Sequence, residues 1–354
     1  MTNQDVNSRA ARRRATASDV AEHAGVSTAT VSLIVNGKAH GRVSKKIQTR
    51  VQKAVSDLGY VVNRSASSLV TGRRSCVALV ARDLTNPVIS LIAAGATEVL
   101  GEDIQLLLAV TGPEEQGSDL GRIISFGVDG ILLHAPTAEQ IAEVPDHTPT
   151  VLLDYLPRAK KEFARVAYDT VTGSSQLARH LVDNGHEKMV YVDFVRPLAT
   201  FKRRRQALTT EFTALARNAS ITLALTGSSV EDVKAIVMDA WPQWRDEGAT
   251  VVVAATDVQA YGVLAAFDEL GVSVPDDVSV AAFDGLPFSS LMKPSLTTVD
   301  LPAATLGRVG ANALLDLINR AGKTGPKSTQ LPTELIVRRS TGPARRMLAA
   351  VSNF

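Results

Sequence analysis

Residues 16–37, TASDVAEHAGVSTATVSLIVNG, decide how the N-terminal part of this chain folds. Thr16 with Asp19 three positions on spells a capping box, in which a side chain and a backbone N–H at a helix start satisfy each other. Val20, Ala21 and Ala24 then fall on one helical face, and Gly25 supplies the left-handed residue that ends the helix. Ser27 caps a second helix whose Val31, Ile34 and Val35 form its buried stripe. Thr28, Ala29, Ser32 and Leu33 are left facing outward. Two short helices joined by a tight glycine turn are either a helical hairpin in a larger core or a helix-turn-helix whose second helix enters a DNA major groove.

The surrounding sequence decides between these. Residues 43–60 predict a third helix, with Ser44 as N-cap, Ile47, Val51, Ala54, Val55 and Leu58 as its apolar stripe, and Gly59 as terminator. Three helices in about 45 residues can form a small bundle. Residues 1–74 carry 13 Lys/Arg against 4 Asp/Glu, a net of +9, whereas the remaining 280 residues carry 25 against 32, a net of −7. The whole-chain value of +2 thus conceals a basic head on an acidic body. A basic head with a helix-turn-helix points to duplex DNA. The run Arg9, Arg12, Arg13, Arg14 precedes the first cap as an arm that either adds phosphate contacts or only solubilises.

Beyond residue 75 the texture changes. Strand-like apolar runs at 76–80, 104–110, 130–134, 150–154, 189–193, 250–255, 278–283 and 334–339 alternate with helical patterns at 88–101, 115–126, 170–184, 202–217, 230–241 and 257–270. Such alternation predicts parallel sheets covered on both faces, with ligands at the carboxyl ends of the strands. Asp83, Asp154, Asp193, Thr256, Asp257 and Asp284 stand at those ends. The lone Cys76 excludes an internal disulfide framework. No apolar run is long enough to span a membrane and no secretory signal precedes the head, so a cytoplasmic protein without membrane attachment is expected.

With these residues in place, the chain resembles the lactose-repressor (LacI/GalR) family of bacterial transcription regulators from about Thr16 to Thr341. The head carries Asp19-Val-Ala21, Ala24-Gly-Val-Ser27, Thr30-Val-Ser32, Asn36-Gly37 and Leu58-Gly-Tyr60, and the linker Asn63, Ala66, Leu69 and Thr71-Gly72. The body carries Asn86-Pro87, Gly127-Val-Asp-Gly130, the HLVDNGH of residues 180–186, the VPDDVSV of 274–280, Phe283-Asp284, the PSLTT of 294–298 and Gly307.

The resemblance implies a small all-α helix-turn-helix head and an α/β body of two parallel-sheet subdomains, periplasmic-binding-protein-like. Its divisions are a basic arm 1–15, the DNA-binding domain 16–62, a hinge or linker 63–73, an effector-binding and dimerisation domain 74–344 and a tail 345–354. It implies a homodimeric repressor on a pseudo-palindromic operator. The DNA-facing set is Thr28, Ala29, Thr30, Ser32, Leu33, Asn36 and Arg42, with Asn63, Ala66 and Leu69 in a hinge whose leucine wedges into a base step. Leu33 departs from the arginine that many relatives carry, and the loop 38–42 is longer than usual. A small polar effector (sugar, polyol or nucleoside) is expected at Val88, Tyr155, Asp169, Arg203 or Arg204, Thr256, Asp257 and Asp284. Val88 and Ile89 stand where relatives often carry aromatic rings, which argues against a stacked purine. Asp257 and Asp284 have an alternative role as caps of helices or turns.

Two other classes fit the sequence less well. A solute-binding protein would need an export signal and no basic head. An enzyme would need a phosphate-binding glycine fingerprint, a nucleophile elbow or metal-ligand spacing, and none is present. No cofactor or metal is expected. Beyond residue 339 the fifteen remaining residues are too few for a tetramerising heptad helix, so a dimer is the expected assembly.

Overall fold

The computed structural model describes residues 15–60, 75–82, 84–112, 120–155, 162–320 and 327–345. The hinge residues Asn63, Ala66 and Leu69 and the strand-end Asp83 lie outside them. The chain divides into two units, Met1–Arg74 and Ser75–Phe354.

The head comprises α1 (Ala17–Ala24), α2 (Thr28–Val35) and α3 (Lys45–Leu58). At the start of α1 the Thr16 N–H donates to Asp19 Oδ2 at 2.7 Å, and the Asp19 N–H donates to Thr16 Oγ1 at 3.3 Å. Gly25 ends α1 at φ +60°, and Ser27 Oγ caps α2 by accepting from Thr30 N at 3.2 Å. Ser44 stands at the cap position of α3, but its hydroxyl makes no cap bond; the Gln48 amide donates to the Val43 carbonyl instead, at 2.7 Å. Val20, Ala21, Ala24, Val31, Ile34, Val51 and Ala54 form the core. Ala39, from the loop after α2, is buried in that core, so the long loop is anchored at its middle.

The body contains two six-stranded sheets. The first comprises β1 (Cys76–Ala81), β2 (Gln105–Val110), β3 (Gly130–His134), β4 (Thr150–Leu153), β5 (Ala164–Tyr168) and β11 (Ser328–Leu331), in the order β11-β5-β4-β3-β1-β2 and parallel throughout. The second comprises β6 (Lys188–Phe194), β7 (Ser220–Thr226), β8 (Val251–Ala254), β9 (Ser279–Asp284), β10 (Thr297–Asp300) and β12 (Glu334–Ile336), in the order β12-β10-β9-β8-β6-β7. Only β12 runs antiparallel, against β10. Helices α4 (Val88–Leu100), α5 (Leu120–Ser125), α6 (Ala138–Glu143) and α11 (Ala303–Arg320) belong with the first sheet. Helices α7 (Thr170–Asp183), α8 (Ala199–Leu215), α9 (Val230–Asp246) and α10 (Asp257–Glu269) belong with the second.

Strand alternation sorts side chains to the two faces of each sheet. In β6, Met189 and Tyr191 join the cluster that runs through both subdomains, while Val190 and Val192 pack against Trp241, Trp244 and Phe267. That second cluster explains why α9 continues beyond Pro242, where the sequence pattern ended it at 241. Proline removes one backbone donor, but burial of Trp241 and Trp244 on either side holds the last turn down. Strands β5, β7, β10 and β11 and helix α11 were not evident from apolar runs. β7 and β11 are edge strands with mixed exposure, and α11 contains Gly307 and Gly310, which weaken its helical pattern. The predicted strand 334–339 shortens to Glu334–Ile336, because the Arg338 N–H turns to Thr297 Oγ1 at 2.9 Å.

The chain passes between the subdomains three times: after β5, after β10 and between β11 and β12. Two crossings are tied directly, since the Asp169 N–H donates to the Leu331 carbonyl at 2.8 Å and Thr333 Oγ1 donates to the Asp169 carbonyl at 2.6 Å. These bonds lie at one end of both sheets, beside the strand carboxyl ends where the polar residues collect.

Candidate functional site

In the head, Thr28, Ala29, Ser32, Asn36 and Arg42 are exposed, and Thr30 and Leu33 are half-buried. α2 carries no charged side chain along its whole length. Thr30 Oγ1 is engaged with Ser27 Oγ at 2.9 Å. The Asn36 amide nitrogen turns back onto Ser32, donating to its carbonyl at 2.9 Å and its hydroxyl at 3.2 Å. Lys38 and Arg42 are exposed on the loop after α2, and Lys45, Lys46 and Arg50 are exposed on α3, so these positive charges are carried by elements other than α2.

In the body, the carboxyl ends of the strands converge on Arg204. α8 presents this guanidinium inward, with its side chain 4% exposed. Nη1 donates to Asp284 Oδ1 at 2.9 Å and to the Ala255 carbonyl at 3.2 Å, and Nη2 lies 3.7 Å from Asp154 Oδ2. Asp284 ends β9 of the second subdomain, whereas Asp154 follows β4 of the first. Thr200 Oγ1 donates to Asp154 Oδ2 at 2.8 Å, and Asn86 Nδ2 approaches Asp284 Oδ2 at 3.5 Å. The subdomains are therefore bridged by charge-assisted bonds around one buried cation. Phe201 lies beneath the guanidinium, 5.1 Å from its carbon to the ring centroid, and Phe283 lies at 6.0 Å.

Both carboxylates sit on strained backbone, Asp154 at φ +50° and Asp284 at φ +122°. Such conformations cost roughly 1–3 kcal/mol each and persist where the surroundings enforce them, commonly at functional sites. Burial opposes the charge of Arg204, but Asp284 and Asp154 more than offset it and hold its pKa above the ordinary value. Burial pushes Asp284 up to about 7, against the attraction of Arg204. Among the described residues, no hydrogen-bond partner is found for three buried polar atoms here: Arg204 Nε, Tyr168 Oη and Tyr191 Oη. Burial drives both phenols well above their usual range, and both feel the charges of Arg204 and Asp284.

The Asp284 shift has a testable sign. Its folded pKa lies above the ordinary 3.8, so the folded chain binds this proton more tightly than the unfolded one. Its contribution to stability is full below about pH 4 and is lost as pH rises through about 7. Asp284→Asn should flatten the fall in urea midpoint between pH 4 and 7; a slope equal to that of the parent chain would refute the assignment.

The remaining candidates occupy other settings. Asp257 is fully buried and saturated: Oδ2 accepts from Leu286 N at 2.7 Å and Ser289 Oγ at 2.6 Å, and Oδ1 accepts from Thr298 Oγ1 at 2.6 Å. It pins the turn Pro287–Ser290 to β10, and burial raises its pKa to about 6. Thr256 caps α10, accepting from Gln259 N at 3.2 Å. Asp169 caps α7 through Val171 N and Thr172 N. Arg203 is half-buried, and Arg205 pairs with Asp193, so Arg204 alone of the run 202–205 joins the two carboxylates. Val88 is buried in the core at the start of α4, and Tyr155 is buried among Leu152, Phe163 and their neighbours. In the sequence, Asp154 stands at a strand end and Asn86 in a motif, whereas Thr200 and Phe201 carry no sequence signal.

Two family profiles match the chain. The one described as "Bacterial regulatory proteins, lacI family" covers residues 16–63, and the one described as "Periplasmic binding protein-like domain" covers residues 178–341. The chain is 28% identical over 335 residues to the HTH-type transcriptional repressor PurR of Vibrio vulnificus (strain CMCP6), which spans 92% of this chain and 98% of that protein. It is also 28% identical over 332 residues to the Ribose operon repressor of Bacillus subtilis (strain 168), with the same two coverages, 92% and 98%. The crystal structure of a LacI family transcriptional regulator from Enterococcus faecium with bound ribose matches at TM-score 0.67 and 25% identity, covering 76% of this chain and 100% of that one.

Proposed function

Because this chain belongs to the lacI family of bacterial regulatory proteins, an effector-controlled DNA-binding regulator, we propose that it is a cytoplasmic repressor whose homodimer holds a pseudo-palindromic operator and answers to a small polyhydroxylated effector. The observation that carries the effector class is the Arg204 cluster. Two carboxylates from opposite subdomains accept hydrogen bonds, and a guanidinium between them donates. Hydroxyl-bearing sugars or polyols match this set, as would the ribose of a nucleoside. A stacked purine is disfavoured because Val88 and Ile89 are both core residues. Asp284, Arg204 and Asp154 are the effector contacts we assign; Asp257 and Thr256 are engaged in a turn and a helix cap.

Dimerisation is supported by the outer edges of both sheets. β2 and β7 are edge strands, and each leaves large apolar side chains in solvent: Leu107, Leu108 and Val110 on one, Leu223 and Leu225 on the other. An uncovered edge with such residues invites pairing. We assign the body binding rather than catalysis. Among the described residues, no helix is long and apolar enough to cross a membrane.

Selection from a random duplex pool, followed by thermal-shift titration with ribose, other pentoses, hexoses, polyols and nucleosides, tests this reading. We expect one selected palindrome, and one ligand that both raises Tm and shifts operator affinity by fivefold or more. A ligand at a hundred times its dissociation constant should stabilise the body by about 2.7 kcal/mol. No preference for any duplex over random DNA at moderate salt would overturn the regulator reading.

A further inference from the structure

We infer that the operator half-site is selected by thymine methyl groups packing on Leu33 and Ala29, with sequence selectivity separated from charge. This rests on the regulator reading above and specifies how its DNA is read.

The face of α2 that the head leaves open is chemically unusual for a groove reader. Discrimination between bases in the major groove commonly comes from arginine or lysine on guanine, asparagine or glutamine on adenine, or a carboxylate on cytosine. α2 has none of these groups. The carboxamide that follows it, Asn36, has its donor nitrogen committed to Ser32, so the paired donor and acceptor needed to grip an adenine edge are not presented. Thr30 and Ser27 satisfy one another. What faces outward is a methyl-bearing set, Thr28, Ala29 and Leu33, with the hydroxyls of Thr28 and Ser32.

Leu33 is the informative member. It is half-buried, yet it does not join the apolar core of the head, which is built from the opposite stripe of Val31 and Ile34 with Val35 partly buried. A partly exposed leucine outside the head's apolar core, on a surface otherwise made of small side chains, offers an apolar knob of the right chemistry for one partner. In the major groove the thymine C5-methyl is the apolar group that a base pair displays. The charges needed to hold phosphates stand outside α2, on Lys38, Arg42, Lys45 and Lys46. Attraction to the backbone and recognition of sequence are therefore carried by different residues.

The test uses the full-length protein and the duplex it selects, with deoxyuridine replacing thymidine one position at a time, which removes the methyl and nothing else. We expect one or two positions per half-site where affinity falls roughly fourfold, the value of returning one buried methyl to water. That ratio should be the same at low and at moderate salt, although overall affinity falls steeply with salt. Leu33→Ala, which leaves the head core intact, should abolish the penalty at the position that Leu33 covers, while a position covered by Ala29 keeps its own. A duplex that is selected and bound but is indifferent to uridine at every position would overturn the inference while leaving the regulator reading standing. So would an unchanged uridine penalty in Leu33→Ala. Failure to select any duplex would overturn both.

Discussion

Arg204→Met is expected to destabilise the body by about 3–5 kcal/mol at pH 8, because removing one partner of a buried ion cluster strands the others without compensation. Asp154 and Asp284, with side chains 5% and 1% exposed, would face each other across the subdomains with no cation between them. The size of the loss should depend on pH. Asp284 has its pKa pushed up to about 7, so in mild acid it accepts a proton and sheds the charge that Arg204 was balancing. The deficit in urea midpoint should therefore shrink between pH 8 and pH 5.5. Adding Asp154→Asn and Asp284→Asn to the methionine variant should recover much of the stability, since an uncharged replacement of the whole cluster carries no orphan charge. A single variant that loses less than about 1 kcal/mol at pH 8 would mean that the guanidinium contributes no more than an exposed pair does.

Gly307→Ala is the second large effect, and it acts on packing alone. α4 and α11 cross with their backbones in contact. A Cβ at Gly307 would meet the Ile92 carbonyl and come within 2.9 Å of Ala96 N, and a Cβ at Gly95 would meet the Ala304 carbonyl. Neither obstacle is a flexible side chain that can swing aside. The helices must part, and every apolar contact between Ile92, Ala96, Leu306 and Ala311 loosens with them. Overpacking of this kind costs about 1–3 kcal/mol when neighbours can adjust; with backbone as the obstacle, we expect the upper end or beyond. Equilibrium unfolding of the isolated substitution measures it, and a midpoint within error of the parent would mean that the two helices slide apart freely. The close approach of the Ile92 carbonyl is the physical reason for a glycine at 307, one of the residues that carry the family resemblance.

The parts of the protein legible in sequence are those built from neighbours in the chain. Thr16 with Asp19, Gly25 and Ser27 announce the head because each partner lies within three residues or is a single backbone angle. The alternation of apolar runs with helices announces parallel sheets for a similar reason. The site was legible only in outline. Asp257 looks like a ligand residue from its place at a strand end, but its oxygens are filled by groups 29, 32 and 41 residues away. The choice between Arg203 and Arg204 turned on which face of α8 meets Asp154, a residue 50 positions earlier on another sheet. Tyr155 offered a ring for a ligand in sequence, yet it fills the layer beside Phe163. β11 has the polar sequence Ser-Thr-Gln-Leu and is a strand because β5 offers it an edge.

The last strands have a consequence for how the molecule is made. β11 and β12, residues 328–331 and 334–336, add one edge strand to each sheet, and α11 before them returns to cover the first. Neither subdomain is a continuous stretch of chain, and neither sheet is complete until residues 328–336 have been made. The head, by contrast, closes its core within residues 15–60. A growing chain therefore holds every residue of the head core long before it holds the edge strands that complete the two sheets.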